Sequence, residues 1–175
     1  TISFSTAIDS TDINTEVTLT WSSTNSSSCS ASGDWSGSKA VSGSELVKIK
    51  KKGDNSYSLS CTGDGGSLSR SLAITGVLNF TVTAPTSLSD YEPFNISLSG
   101  YELDEGQVAE IIVNQSSGKD ILFSNTEDGV FSARAPATYN SETIVLDVTL
   151  KLSDSIEEKK EVTLDVSFNN VALKY

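Results

Sequence analysis

The sequence predicts an all-β chain folded as two tandem β-sandwiches, and three observations carry that prediction. Short runs in which apolar and polar residues alternate recur from end to end, as in Val17-Thr18-Leu19-Thr20-Trp21 and again from Ile144 to Leu152. No stretch of useful length shows the apolar period of a helix. Clusters of Ser, Gly, Asn and Asp separate the runs and fit tight turns. At 175 residues, 37% of them hydrophobic, the chain exceeds a minimal disulfide scaffold and suits one large or two small domains.

In the first half, strands are expected near residues 2–7, 16–23, 29–35, 45–50, 56–62 and 68–76. Ile2 and Phe4 alternate with serines in the first. Val17, Leu19 and Trp21 share one face of the second, and Tyr57, Leu59 and Cys61 share one face of the fifth, so both runs can line one core. Val47 and Ile49 alternate with Lys48 and Lys50 in the fourth. Asn25 to Ser28, Ser32 to Asp34, Gly53 to Asn55 and Gly63 to Gly66 supply the turns.

Beyond Gly76 the alternation restarts with Leu78, Phe80 and Val82, followed by a polar stretch containing Pro85 and Pro93. The expected domains are therefore 1–76 and 77–175. Further strands are expected at about 93–99, 108–114, 119–124, 129–134, 142–153 and 159–168. The last two are the clearest, with Ile144, Leu146, Val148, Leu150 and Leu152 facing one way and Val162, Leu164, Val166 and Phe168 repeating the pattern. Asp154 to Glu158 is the hairpin expected between them.

A net charge of −11 and a pI near 4.3 would repel phosphates, so nucleic acid and anionic membrane surfaces are poor partners. The longest apolar runs, such as Ile111-Ile112-Val113, are too short to span a bilayer. Thr1 opens no basic, apolar leader, which is read as a fragment or processed product. Two cysteines in a Ser/Thr-rich chain without Met or His fit an oxidising compartment, where Cys29 and Cys61 would pair. The competing reading is two buried free thiols.

The string TLTWSSTNSSSCSASGDWSGSK, followed by YSLSCTGDGGS and an alternating final strand, resembles the immunoglobulin-like domains repeated in bacterial surface proteins, secreted enzymes and bacteriophage structural proteins. The likeness covers residues 2 to about 76. It implies a Cys29–Cys61 bridge with Trp21, Trp35, Tyr57 and Leu59 packed around it. Trp21 precedes the first cysteine and Tyr57 lies four residues before the second, a departure from the antibody pattern. The second half is similar to polycystic-kidney-disease and cadherin-like sandwiches, through GVFSARAPA and the paired strands ETIVLDVTLKLSD and KKEVTLDVSF.

The lack of histidine excludes a Ser-His-Asp or Cys-His nucleophile. The adjacent acids Asp104-Glu105, Glu127-Asp128 and Glu157-Glu158 fall in expected turns, where successive side chains diverge, so no catalytic residue is assigned. No cofactor is expected. Asp90, Glu92, Asp104 and Glu105 are the oxygens a calcium ion would use, and solvated acidic turns are the plainer reading. Lys48, Lys50, Lys51 and Lys52 read as the solvent face and tip of a hairpin, with an acidic-glycan contact as the alternative. Trp35 either covers the bridge or stacks on a sugar ring. Asn25, Asn79, Asn95 and Asn114 stand in Asn-x-Ser/Thr context, which a Ser/Thr-rich chain produces by chance.

These features point to a non-enzymatic structural or adhesive module outside the cell, at a cell surface or on a virion, whose partners are protein subunits, a receptor or a glycan. The resemblance implies a virion decoration, a fibre or a bacterial surface filament. The alternative is an accessory carbohydrate-binding module of a secreted enzyme. Ile2 and Phe4, and Val166 and Phe168, whose runs lack proline, are candidate assembly edges, the alternative being that each run pairs within its own sandwich.

Overall fold

The computed structural model describes residues 1–126, 130–138 and 140–168, and every described element is a strand. Of the expectations above, the acids Glu127 and Asp128 and the start of the 129–134 strand lie outside the described residues. The chain divides into two compact units, Thr1–Leu78 with Glu102–Gly106, and Asn79–Tyr101 with the chain from Gln107 onward. The segment Glu102–Gly106 thus groups with the first unit, although the sequence places it in the second.

In the first unit, β1 (Ile2–Thr6), β3 (Glu16–Ser23) and β6 (Ser42–Lys48) form one antiparallel sheet in the order β1-β3-β6. The other sheet holds β2 (Ser10–Asp12), β4 (Ser28–Gly33), β5 (Gly37–Lys39), β7 (Gly53–Gly63) and β8 (Gly66–Val77), ordered β2-β8-β7-β4-β5 with β2 parallel to β8. Alternation does what the sequence pattern requires. Val17, Leu19 and Trp21 of β3 and Tyr57, Leu59 and Cys61 of β7 are all buried, while the residues between them are not.

The second unit follows this plan with one strand moved to the other sheet. One sheet is β13-β14-β11-β9, built from β9 (Thr81–Thr83), β11 (Pro93–Ser99), β13 (Phe123–Thr126) and β14 (Val130–Arg134). The other is β10-β16-β15-β12, built from β10 (Ser87–Ser89), β12 (Glu110–Ser117), β15 (Glu142–Ser153) and β16 (Ile156–Ser167), with β10 parallel to β16. In each unit the leading strand is split between the two sheets and a long terminal hairpin, β7–β8 or β15–β16, forms the centre of one of them, a five-stranded sheet in the first unit and a four-stranded sheet in the second. Both are immunoglobulin-like sandwiches.

Ile144, Leu146, Val148 and Leu150 of β15 are completely buried, as is Leu164 of β16. Burial of each such side chain contributes about 1.5–3 kcal/mol before the entropy of ordering is set against it. Phe94 and Ile96 of β11 and Phe131 and Ala133 of β14 supply the inner face of the opposing sheet.

Several boundaries differ from expectation. The turn between β15 and β16 is Asp154-Ser155 alone, because the ladder shifts register between Lys151 and Ser153 and pairing resumes at Ile156. Strand 29–35 stops at Gly33, strand 108–114 runs on to Ser117, and strand 119–124 starts only at Phe123. The three-residue strands β2, β5, β9 and β10 are too short to register as alternating runs.

Candidate functional site

At the centre of the first unit Trp35 is wedged between the sheets. Its ring stacks on Phe4 of β1 at 5.5 Å and meets Trp21 of β3 and Tyr57 of β7 edge-on at 5.6 and 6.3 Å. The indole N–H of Trp35 donates to the Ser58 carbonyl (3.1 Å), and the Lys39 ammonium lies 4.8 Å from its ring centre. Only 6% of Trp35 is exposed, so it is core and offers no platform for a sugar.

The turn carrying Trp35 is fixed by its neighbours. Asp34 donates its amide to Ser56 O (2.8 Å), and its carboxylate accepts the Ser56 amide (2.7 Å) and pairs with Lys51 at 2.7 Å. Partial burial pushes the Asp34 carboxyl upward, but the Lys51 contact and the Ser56 amide outweigh it and hold the pKa below the usual value. Gly33, at φ 95°, precedes it. A Cβ there would stand 2.3 Å from Ser56 O, so only glycine permits this approach.

Cys29 and Cys61 are joined by a disulfide, and they are direct cross-strand partners on β4 and β7. The bridge therefore lies within one sheet, on its inner face, and does not tie the two sheets together. In an antibody domain the bridge crosses between sheets and a tryptophan occupies the third strand. Here Trp21 stands on the β3 side of the core and the cysteine takes the place on β4. Leu59 separates Tyr57 from Cys61 along the inward row of β7, and Trp35 packs at Tyr57. Ser23 Oγ lies 3.7 Å from Cys29 Sγ.

The basic cluster is organised by a residue that sequence reasoning assigned only to a turn. Asn55, 1% exposed, accepts the amides of Lys50 and Lys51 and donates to the carbonyls of Lys51, Gly53 and Ile74. Lys48 pairs with Asp104 at 2.8 Å. Hydrogen bonding to Lys48 and to the Glu105 amide holds the Asp104 carboxyl below its usual range. A cation at Asp104 would have to displace Lys48. Glu92 accepts the Ser89 amide (2.7 Å). Among the described residues no group of three or more His, Cys, Asp or Glu side chains is placed to hold a metal. Glu157 and Glu158 lie on β16, not in a turn, and alternate across it. Asn25, Asn79, Asn95 and Asn114 are all exposed.

Two of the surface hollows among the described residues bear on ligand binding. One of about 640 Å³ lies in the first unit between Thr24 to Ser27 and Gly63 to Leu68, beside Ile2 and Cys61. The other, about 550 Å³, lies in the second unit among Pro93, Asp120, Leu122, Ser132 and Arg134, where Leu122 is 91% exposed.

The sheet edges separate the two candidate runs. β1 is an edge of its sheet, with Ile2 buried and Phe4 turned into the aromatic cluster. β16 is not an edge: Val166 is paired to Leu88 on one side and Glu142 on the other and is 1% exposed. Phe168 follows the strand and is 44% exposed. The three-residue β10 covers β16, a pairing its length hid in the sequence. The long edges among the described residues are β1, β6 and β12.

No protein-family model matches the chain and no curated protein matches it. Among solved structures it is similar to the titin domains z1z2 crystallised with telethonin, at 10% identity over 96% of both chains and a TM-score of 0.39. It is similar to an ICAM-5 D1–D4 ectodomain fragment at 11% identity and a TM-score of 0.36, spanning 54% of that chain. It is also similar to murine CEACAM1b at 9% identity over 95% of this chain and all of that one, with a TM-score of 0.33. The immunoglobulin-like assignment rests on the strand order and pairing of the chain itself.

Proposed function

We propose that this chain is a non-enzymatic structural or adhesive module of an assembly outside the reducing interior of the cell, with protein subunits as its partners. The observation that carries the reading is the repetition of one sandwich plan with long strands left at sheet edges, which present unpaired backbone donors and acceptors to a neighbour. The Cys29–Cys61 bridge supports an oxidising location. The resemblance of residues 2–76 to bacterial and bacteriophage domains favours a virion decoration, a fibre or a surface filament over other settings. The likeness of the second half to polycystic-kidney-disease and cadherin-like sandwiches fits the same role. Burial of Trp35 removes the aromatic platform on which the carbohydrate-binding alternative chiefly relied.

A glycan array probed with the whole chain tests this reading. It predicts no saturable, sequence-dependent glycan binding. Micromolar binding to a defined glycan, abolished by substitutions in the 24–27 and 63–68 loops around the larger hollow, would overturn it in favour of the carbohydrate-binding module.

A further inference from the structure

We infer that β12 is the edge through which one copy of this chain pairs with a second copy, antiparallel about a two-fold axis at Ile112; the inference rests on the assembly-module reading above. The internal repeat supplies the first argument. In the first unit, β4 lies beside the long hairpin and carries β5 on its far side, through Cys29↔Lys39, Ser30↔Ser38 and Ala31↔Gly37. β12 occupies the same place beside β15 in the second unit, and among the described residues no strand lies on its far side. The strand that follows β12 in the chain, β13, pairs with β14 in the other sheet, so the far side of β12 is left open where that of β4 is covered.

The side chains at this edge are those of an unfinished sheet. Ile111, Val113 and Gln115 are paired with Leu150, Val148 and Leu146, all buried, so they point inward, yet each remains only half-buried. Ile112 and Asn114 point outward. Edge strands are ordinarily guarded by charge, proline or bulges. β12 has Glu110 at its start and a bulge between Gln115 and Ser117 at its end, where Gln115 holds the following loop through Ile121 N, Ser117 O and Lys119 O. Ile111 to Asn114 has no such guard.

The side-chain period then selects the occupant and register. Self-pairing must set inward residues opposite inward ones, so the axis passes through a residue and not between two. Centred on Ile112, the pairing sets Ile111 against Val113, Ile112 against its own copy, and Glu110 against neutral Asn114, so no like charges face each other. Centred on Val113, it would set Ile111 against Gln115 and Ile112 against Asn114. The first register joins apolar to apolar and extends two sheets into one continuous sheet, closed by the two-fold.

Sedimentation equilibrium of the whole chain, with two kinds of variant, tests the inference. The wild type is expected to dimerise, and Ile112→Lys, which sets two ammonium groups opposite each other on the outer face, is expected to weaken the dimer at least about tenfold with an unchanged melting profile. Under mild oxidation Ile112→Cys is expected to crosslink to its copy, and Val113→Cys not to. A wild type that stays monomeric to about 100 μM, a dimer indifferent to Ile112→Lys, or equal crosslinking at both positions would overturn it. A monomer that binds a different protein subunit overturns self-pairing and leaves the proposed function standing, whereas defined glycan binding overturns the function itself.

Discussion

The two units follow one plan in which a single strand changes sheets, β5 lying beside β4 in the first and β13 beside β14 in the second, and they differ further in what fills that plan. The second closes its core with an aliphatic ladder, Ile144, Leu146, Val148 and Leu150 on β15 against Leu164 and Val166 on β16. At the matching place the first has Asn55, Tyr57, Leu59 and Cys61 on β7 against Ile74 and Gly76 on β8, with Trp35 inserted from a loop and a bridge within the sheet. A closely similar plan is thus satisfied by two kinds of core, one dominated by an aliphatic ladder and one that depends on a loop aromatic, a buried amide and a covalent link. The first should be vulnerable at a few named side chains. The second should lose stability in proportion to whichever rung is removed.

Truncation of the central side chain in each unit separates these behaviours most strongly. Trp35→Ala should cost the first unit about 3–5 kcal/mol, and Leu146→Ala should cost the second about 2–5 kcal/mol. Both tryptophans, Trp21 and Trp35, lie in the first unit, so the change caused by Leu146→Ala should appear in circular dichroism and not in intrinsic fluorescence. A fluorescence transition that moves with Leu146→Ala would show that the cores are not separate.

Asn55→Ala comes next, at about 2–3 kcal/mol, since it leaves backbone groups of Lys50, Lys51, Gly53 and Ile74 without their partner in a buried place. Urea unfolding followed by fluorescence measures it. A loss under about 0.5 kcal/mol would mean that water replaces the amide.

Asp34 gives a smaller and pH-dependent effect. Its folded pKa is depressed below the ordinary 3.8, so its stabilisation is present above about pH 4 and is lost as pH falls through the folded value. The stability difference between wild type and Asp34→Asn should therefore be visible at neutral pH and shrink below about pH 4. A difference that grows on acidification would reverse the sign assigned to Lys51 and Ser56.

The smallest expected change runs the other way. The Tyr57 hydroxyl is buried and has no hydrogen-bond partner among the described residues. Burial, with the nearby Asp34 charge, pushes its pKa up. Tyr57→Phe should leave stability unchanged or raise it by up to about 1 kcal/mol, and a loss of more than that in a thermal melt would reveal a partner for the hydroxyl.

The parts legible in the sequence were those with a period. Val17-Leu19-Trp21, Tyr57-Leu59-Cys61 and the Ile144 to Leu152 row each place their buried residues correctly because alternation is a local property of the backbone. What failed was pairing. Nothing in Val162 to Phe168 reveals that Leu88, far back in the chain, covers Val166, and no run of three residues announces β2, β5 or β10. The orientation of the bridge was hidden for the same reason, since Cys29 and Cys61 share a sheet only once β4 is known to lie against β7. Asn55 read as turn chemistry because a polar residue after Gly53-Asp54 ordinarily faces water. Its place in the inward row of β7, two positions before Tyr57, was the available signal.

Thermal unfolding of the whole chain, oxidised and reduced, followed together by tryptophan fluorescence and circular dichroism, tests most directly whether one plan carries two independent cores. The bridge closes a loop spanning a sequence separation of 32, for which the loop-entropy account gives about 3.5–4 kcal/mol. Reduction should lower the fluorescence transition by more than about 10 °C and leave a second transition, seen only in circular dichroism, where it was. A single transition that shifts as a whole, or a fluorescence midpoint unmoved by reduction, would contradict the account.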